Sequence, residues 1–424
     1  MFTRRQFLTR SLHGASLLAL APAVPQFLAN TARAAEAGKD TVLVVIELSG
    51  GNDGLNTVVP YADDNYHKAR PTLRLTKDQV VKVNDVIGLN PGLRPLDQLL
   101  QKGELAIVQG VGYPNPDRSH FESMDIWQSA DPKRKTRSGW IARGATDLGD
   151  RRGNVPIMQV GQKDLPLALQ GAPGAVVSIN DQRGYHLDLG AGDEAHHKER
   201  RKLLEVVARP EGGGDDLLQF VRRRQAQTYI TLDKIQDVLK APAALPQQQP
   251  TDPFGNFNPG FGGLASKLQL VARMIDKGLG TRVFYVNLDG FDTHANQAAS
   301  HQQLFQELAS GLAGFFQVLR TAGHDKRVLA MTFSEFGRRV NENGSKGTDH
   351  GSGSCLFVAG PGVNGGPITK HPSLKNEDLD AGDLKYHTDF RRVYATLLDG
   401  WLGCDSKVVL GAPFEHLDLL KAKA

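Results

Sequence analysis

The densest run of potential ligands in the chain is Asp289-Gly290-Phe291-Asp292-Thr293-His294, two carboxylates and an imidazole within six residues. Carboxylate oxygens and neutral imidazole nitrogens are donors that divalent cations take. Ser334-Glu335-Phe336-Gly337-Arg338-Arg339 and Gly347-Thr348-Asp349-His350-Gly351 follow, joined by a short Gly- and Asn-rich loop. They add an acid, an Asp-His pair and two arginines. Arg338 or Arg339 could hold an anionic oxygen in a bidentate fork. Gly50-Gly51-Asn52-Asp53-Gly54 offers Asp53 beside glycines that let a ligand approach the backbone. Arg118-Ser119-His120-Phe121 puts a serine at the start of a helical pattern. Free N–H groups and the positive helix end lower the cost of an alkoxide there.

Each motif has a structural alternative. Asn-Asp-Gly is a good turn. Ser119 with Glu122 makes a capping box. Asp292 could cap a following helix, and either arginine could sit in a surface ion pair. A helix beginning near His294 would place His301 on the same face two turns on.

What ties the motifs together is the elements that carry them. Thr41-Val42-Leu43-Val44-Val45-Ile46 runs into Gly50, Arg282-Val283-Phe284-Tyr285-Val286 into Asp289, and Arg327 to Phe333 into Ser334. These apolar runs read as buried strands, and in an open parallel sheet their C-terminal ends share one edge, where ligands bind. Strand-like runs recur at 41–48, 104–111, 155–160, 165–169, 175–179, 282–288, 327–333 and 354–359. Helical patterns lie between many of them, at 93–102, 121–129, 265–278, 301–321 and 393–401. The expected fold is α/β, a mostly parallel central sheet with helices on both faces. Residues 195–263 break the rhythm. They read as a charged helical insertion followed by a Pro-, Gln- and Gly-rich connector: a lid, an interaction surface, or a decorated edge.

The chain has 424 residues, 40% hydrophobic and 23% charged, an ordinary globular balance. Arg4-Arg5, a mildly apolar stretch and Ala32-Arg33-Ala34 read as a twin-arginine export signal over residues 1–34, leaving 35–424 as the mature domain. Gly14, Pro22 and Pro25 interrupt the stretch, so no stable membrane insertion is expected after cleavage. The signal holds Arg4, Arg5, Arg10 and Arg33 and no acid, so the rest balances 46 basic against 46 acidic residues. Nucleic acid is therefore excluded as an electrostatic partner. The expected partners are the twin-arginine export machinery and a small anionic ester substrate, and the expected location is the periplasm or another exported compartment. Cys355 and Cys404 could bond in an oxidising compartment or stay buried thiols.

Together these segments resemble the twin-arginine-exported proteins of the domain-of-unknown-function 1501 family, over essentially the whole mature chain. That family is similar to the alkaline phosphatase and sulfatase superfamily. The resemblance implies an alkaline-phosphatase-like α/β sandwich and a hydrolytic site with one or two metals. It makes Ser119 the nucleophile, with His120 and Arg338 as further catalytic candidates. Asp53, Asp292, His294, Glu335, Asp349 and His350 become the metal candidates. Phe336 and Asn296 stand where the superfamily has histidines, so the donor set reads as oxygen-rich and suits Ca, Mg or Mn as well as Zn. No Cys-x-Pro-x-Arg or Ser-x-Pro-x-Arg motif supports formylglycine chemistry. The expected function is a metal-dependent hydrolase of phosphate or sulfate esters. The alternatives are a non-catalytic envelope binding or assembly protein with a degenerate metal site, and an isomerase or transferase on the same scaffold.

Overall fold

The computed structural model describes residues 40–145, 147–148, 156–162, 164–172, 176–179, 194–207, 222, 235–238 and 263–422. The expected export signal at 1–34 and most of the expected connector up to residue 262 lie outside the described residues. By internal contacts the chain divides after Thr41, and the unit Val42–Ala424 carries the fold.

Seven strands form the body of one sheet: β1 (Val42–Ser49), β2 (Leu105–Gly112), β3 (Ile157–Val160), β4 (Val177–Ile179), β5 (Val283–Asp289), β6 (Val328–Phe333) and β7 (Ser354–Ala359). Two-residue strands β8 (Gly366–Pro367) and β9 (Thr388–Asp389) join it. The order is β8-β2-β7-β6-β1-β5-β3-β4, with β9 also on β2. Every pairing is parallel except those that β7 makes with β2 and β6. The α/β fold with a mostly parallel sheet is thus as expected.

Helices cover both faces because the strands are apolar on both. Val42, Val44, Ile46 and Leu48 of β1 pack with α2 (Leu264–Asp276) and α3 (Gln297–Thr321) through Leu268, Val271, Phe305 and Leu312. Leu43 and Val45 pack the other way, with Trp127 of α1 (His120–Ser129) and Tyr394 of α4 (Phe390–Leu397). Glu47 breaks this alternation. Its carboxylate accepts from the Tyr285 hydroxyl, Gln128 Nε2 at 2.7 Å and Ser49 Oγ at 2.8 Å, which satisfies a charge the core would otherwise expel. Burial nonetheless pushes its carboxyl pKa up. Cys355 and Cys404 are free and buried, in the clusters on opposite faces of the sheet.

Several expected elements shift. The run at 165–169 is not a strand: Leu167–Leu169 is a 3-10 turn entered through Pro166, which has no N–H to give a ladder. Residues 93–102 split at Pro95 into a 3-10 turn, Pro91–Leu96, and a short helix, Asp97–Gln101. The helix expected at 393–401 spans Phe390–Leu397 and continues as a π turn, Leu398–Leu402. Part of the insertion is helical, Glu194–Val207. Among the described residues no helix is long and apolar enough to cross a membrane.

Candidate metal centre

Strands β6, β1 and β5 are adjacent and parallel, so the loops leaving their C-terminal ends share one edge. Those loops carry Ser334 to Arg338, Gly50 to Asp53, and Gly290 to His294. They lie close enough to demand glycine: Gly50 has φ +117°, and a Cβ on it would stand 2.4 Å from the Asp292 nitrogen. The helix expected from His294 begins instead at Gln297, because Asn296 turns left-handed at φ 47°. The orphan N–H groups of Asn296 and Gln297 are taken by the carbonyls of Ser345 and Lys346, at 3.0 and 2.9 Å. That crossing lays the loop before β7 against His294 and delivers Asp349 and His350 to the same edge.

Three imidazoles converge there on one carboxylate oxygen. Asp292 Oδ1 lies 2.9 Å from His294 Nε2, 3.2 Å from His350 Nε2 and 3.5 Å from His120 Nε2. His294 Nε2 and His350 Nε2 are 2.9 Å apart. The ring nitrogens facing outward are fixed from behind. Glu335 Oε1 holds His120 Nδ1 at 2.7 Å, the Arg118 carbonyl holds His350 Nδ1 at 2.8 Å, and Asp349 Oδ1 stands 3.5 Å from His294 Nδ1. Phe336, where the resemblance led one to expect histidine, packs its ring on His120 and His350 at 4.9 and 4.8 Å between centroids. It sets ring orientation without offering a ligand.

The protonation logic follows from these partners. A carbonyl oxygen only accepts, so His350 Nδ1 donates to Arg118, and the neutral ring turns a lone pair at Nε2 inward. His120, tied to a carboxylate, does the same, and its Nε2 is buried with no hydrogen-bond partner. Acceptor lone pairs facing an anionic oxygen call for a cation between them. Metal–ligand bonds of about 2.0–2.1 Å at tetrahedral angles separate ligand atoms by about 3.4 Å, and the three contacts to Asp292 Oδ1 bracket that value. His120, Asp292 and His350 each offer an atom within 4.8 Å of the others, a set that could hold an ion.

The local electrostatics agree at Asp292 and His350, while at His120 the pairing with Glu335 favours the protonated ring, whose proton a metal would have to displace. Burial works to raise the Asp292 pKa, but Arg338, His350 and His294 hold it down at about 2. Hydrogen bonding to Glu335 raises the His120 pKa against the opposite pull of burial. Burial lowers that of His350. Glu335 is itself held low, its burial outweighed by His120, backbone amides and Ser334.

Other expected site residues do different work. Asp53 lies away from the cluster: Arg70 grips it at 2.5 and 3.1 Å, Gln297 donates to it at 2.5 Å, and it caps the helix Gly54–Thr57. No lone pair is left for a metal, because a fully buried carboxylate takes the nearest cation. Glu335 accepts from Gly50 N, Ser334 Oγ and His120, so it orients a ligand and does not serve as one. Asp349, bonded to Asn343 at 3.0 Å, plays that part for His294. Arg338 is buried and commits its donors to the carbonyls of Gly50, Gly51, Phe291 and Thr348 and to Asp292. It clamps the loops together and has no fork left for a substrate. Ser119 sits at the α1 N-cap without a capping bond from its Oγ, and its own backbone N–H donates to Asp117 Oδ1 at 2.7 Å. His301, buried in α3, contacts Asn52 at 3.1 Å, and burial brings its pKa down to about 4. His120 was expected in catalysis and stands in the cluster that could hold an ion; its position at the start of α1 was the available signal. Nothing local marked Arg70, or the Arg118 carbonyl, in the sequence.

The fold and the cluster define an α/β protein with a His/Asp site at the carboxyl edge of its sheet. Residues 112–410 match the family described as "Protein of unknown function (DUF1501)", and the chain belongs to that family. No curated protein matches the chain. Similar solved structures include the lipoteichoic acid synthase LtaP from Listeria monocytogenes, at 11% identity and TM-score 0.35, covering 83% of this chain and 76% of that one. An alkaline phosphatase from the Antarctic bacterium TAB5 is similar at 11% identity and TM-score 0.33, covering 76% and 92%. A sulfatase from Pseudoalteromonas sp. is similar at 8% identity and TM-score 0.36, covering 80% and 66%. The architecture stated above rests on the strand order itself.

Proposed function

We propose that this chain is an exported metal-dependent hydrolase of phosphate or sulfate esters. The metal is held by His120, Asp292, His294 and His350, with Glu335, Asp349 and the Arg118 carbonyl behind them. The observation that carries this reading is the convergence of three Nε2 atoms on Asp292 Oδ1, with the outer nitrogens of His120 and His350 already tied. A nitrogen-rich donor set favours zinc or iron over manganese, calcium and magnesium. Bound there, the ion supplies Lewis acidity to the ester oxygen. The chain's own contribution is to fix the imidazoles, keep Asp292 ionised and present the Ser119 hydroxyl at a helix start, where free N–H groups stabilise a developing anion. Asp53, Glu335 and Arg338 hold the loops and ligands in place and do not touch substrate. The twin-arginine segment supports delivery of a folded, metal-loaded protein to the periplasm through the twin-arginine machinery.

The test is a panel of nitrophenyl phosphate, phosphodiester and sulfate esters with the metal-loaded chain. The expected result is hydrolysis of at least one ester, abolished by His350→Ala and by Ser119→Ala. Activity indifferent to both substitutions overturns the proposal. A second reading, a non-catalytic envelope protein that only binds metal, is favoured by one feature: among the described residues no side chain stands as a base against Ser119 Oγ. Stoichiometric metal with no turnover on any ester is its signature.

A further inference from the structure

Two arginines have backbone that borders the metal cluster and side chains that take no part in holding it. The Arg118 carbonyl anchors His350 Nδ1 at 2.8 Å, so its side chain starts beside a ligand. Arg339 follows the clamp Arg338, and its N–H donates to the Asp349 carbonyl at 3.0 Å, beside His350 on the facing strand. Both side chains turn to one acid, Asp383, which is 3% exposed. Arg118 gives Nε and Nη2 to the same oxygen, Oδ2, at 2.9 and 2.7 Å. Arg339 Nε is 3.9 Å from Oδ1, which has no hydrogen-bond partner. Two guanidiniums thus share one carboxylate. Among the described residues nothing engages Arg118 Nη1 or any side-chain donor of Arg339 by a hydrogen bond, and the side chains are 42% and 38% exposed. A buried acid that fixes the direction of a guanidinium, while leaving an edge of it in solvent, preorganises a fork for an incoming anion.

We infer that Arg118 and Arg339 form a second anion subsite, so the substrate carries another anionic group beside the ester held at the metal. This rests on the metal-centred reading above and names its substrate class: esters bearing a neighbouring carboxylate, sulfate or phosphate. The contrast with Arg338 supports the assignment. Arg338 has every donor committed, whereas the rim pair keeps several open, and charge-assisted bidentate bonds are the strong ones. Asp349, bonded to Asn343 and facing His294, makes no hydrogen bond to either guanidinium, although the Arg339 charge adds to Asn343 and His294 in holding its pKa low.

The test is calorimetric titration of the zinc-loaded full chain with methylphosphonate and with phosphonoacetate, which adds one carboxylate to the same phosphonate. Phosphonoacetate is expected to bind at least about tenfold tighter, the worth of one good charge-assisted contact. Arg339→Gln removes most of that preference and leaves methylphosphonate affinity in place. Arg118→Lys, which keeps a cation against buried Asp383 so that the fold survives, reduces the preference by removing the fork. Equal affinity for the two ligands, or a preference that persists in the double variant, overturns the subsite and leaves the metal reading standing. Failure of both ligands to bind, with and without zinc, overturns both.

Discussion

Asp53 and Asp292 each follow the end of a buried parallel strand by a few residues, and they finish in opposite chemistry. Asp53 is fully buried and meets Arg70 through two nitrogens. Burial tends to raise its pKa, and Arg70 more than offsets this, so the carboxyl is held below its usual value. The Asp292 side chain is 47% exposed and faces imidazole lone pairs as well as Arg338. Acidity and position do not make a ligand. A carboxylate becomes one when its neighbours present unshared electron pairs toward it and water can still reach it.

The largest effect that can break this comparison is on the Asp53 side. Arg70→Met leaves a buried carboxylate without its cation, which costs about 3–5 kcal/mol. Denaturant unfolding reads the loss, and the fraction that still folds should bind metal in the same ratio. Metal loss without destabilisation would invert the roles assigned to the two acids. On the Asp292 side the reverse is expected. His350→Ala lowers metal affinity by more than the roughly 10–100-fold an outer partner is worth, with stability changed by only about 1 kcal/mol, because the ring is partly exposed. Competition with a fluorescent chelator measures the first quantity and urea titration the second.

Glu335→Gln sharpens the comparison at smaller amplitude. It keeps the shape but weakens the acceptor behind His120, and metal affinity should fall by roughly 10–100-fold. An unchanged affinity would make Glu335 a structural acid like Asp53. The smallest effect is a separation in pH. The folded pKa of Asp53 is depressed, so its pairing contributes stability that is present above the ordinary value of 3.8 and is lost as acid takes pH down through the folded value. Metal should leave earlier on the way down, because protons compete with it for imidazole nitrogen. Calorimetric stability and bound metal, followed together from pH 8 to 3, should therefore fall in two steps, and a single shared step would merge the two regions.

The edge on which the site is built was legible in the sequence, because β1, β5 and β6 are largely apolar runs and each leads into polar residues. Asp292 and His294 could be picked out on that ground, and His350 as a histidine between Asp349 and Gly351 just before a strand. The division of labour among the acids could not. It depends on Arg70 reaching Asp53 from 17 residues away, and on Gly50 N and His120 meeting Glu335 from 285 and 215 residues away. Periodicity has no access to such pairings. The same blindness made the donor set look oxygen-rich: Asp53, Glu335 and Asp349 were each available by type and are each engaged by a partner. The expected strand at 165–169 failed for a local reason, Pro166, that the sequence did display.

The most direct test of the central claim is an X-ray absorption spectrum at the zinc edge of the full chain loaded with one equivalent of metal. The account predicts a first shell of three imidazole nitrogens and one carboxylate oxygen at about 2.0–2.2 Å, losing one nitrogen in His120→Ala. A shell of oxygens without imidazole scattering, or a spectrum unchanged by that substitution, would contradict it.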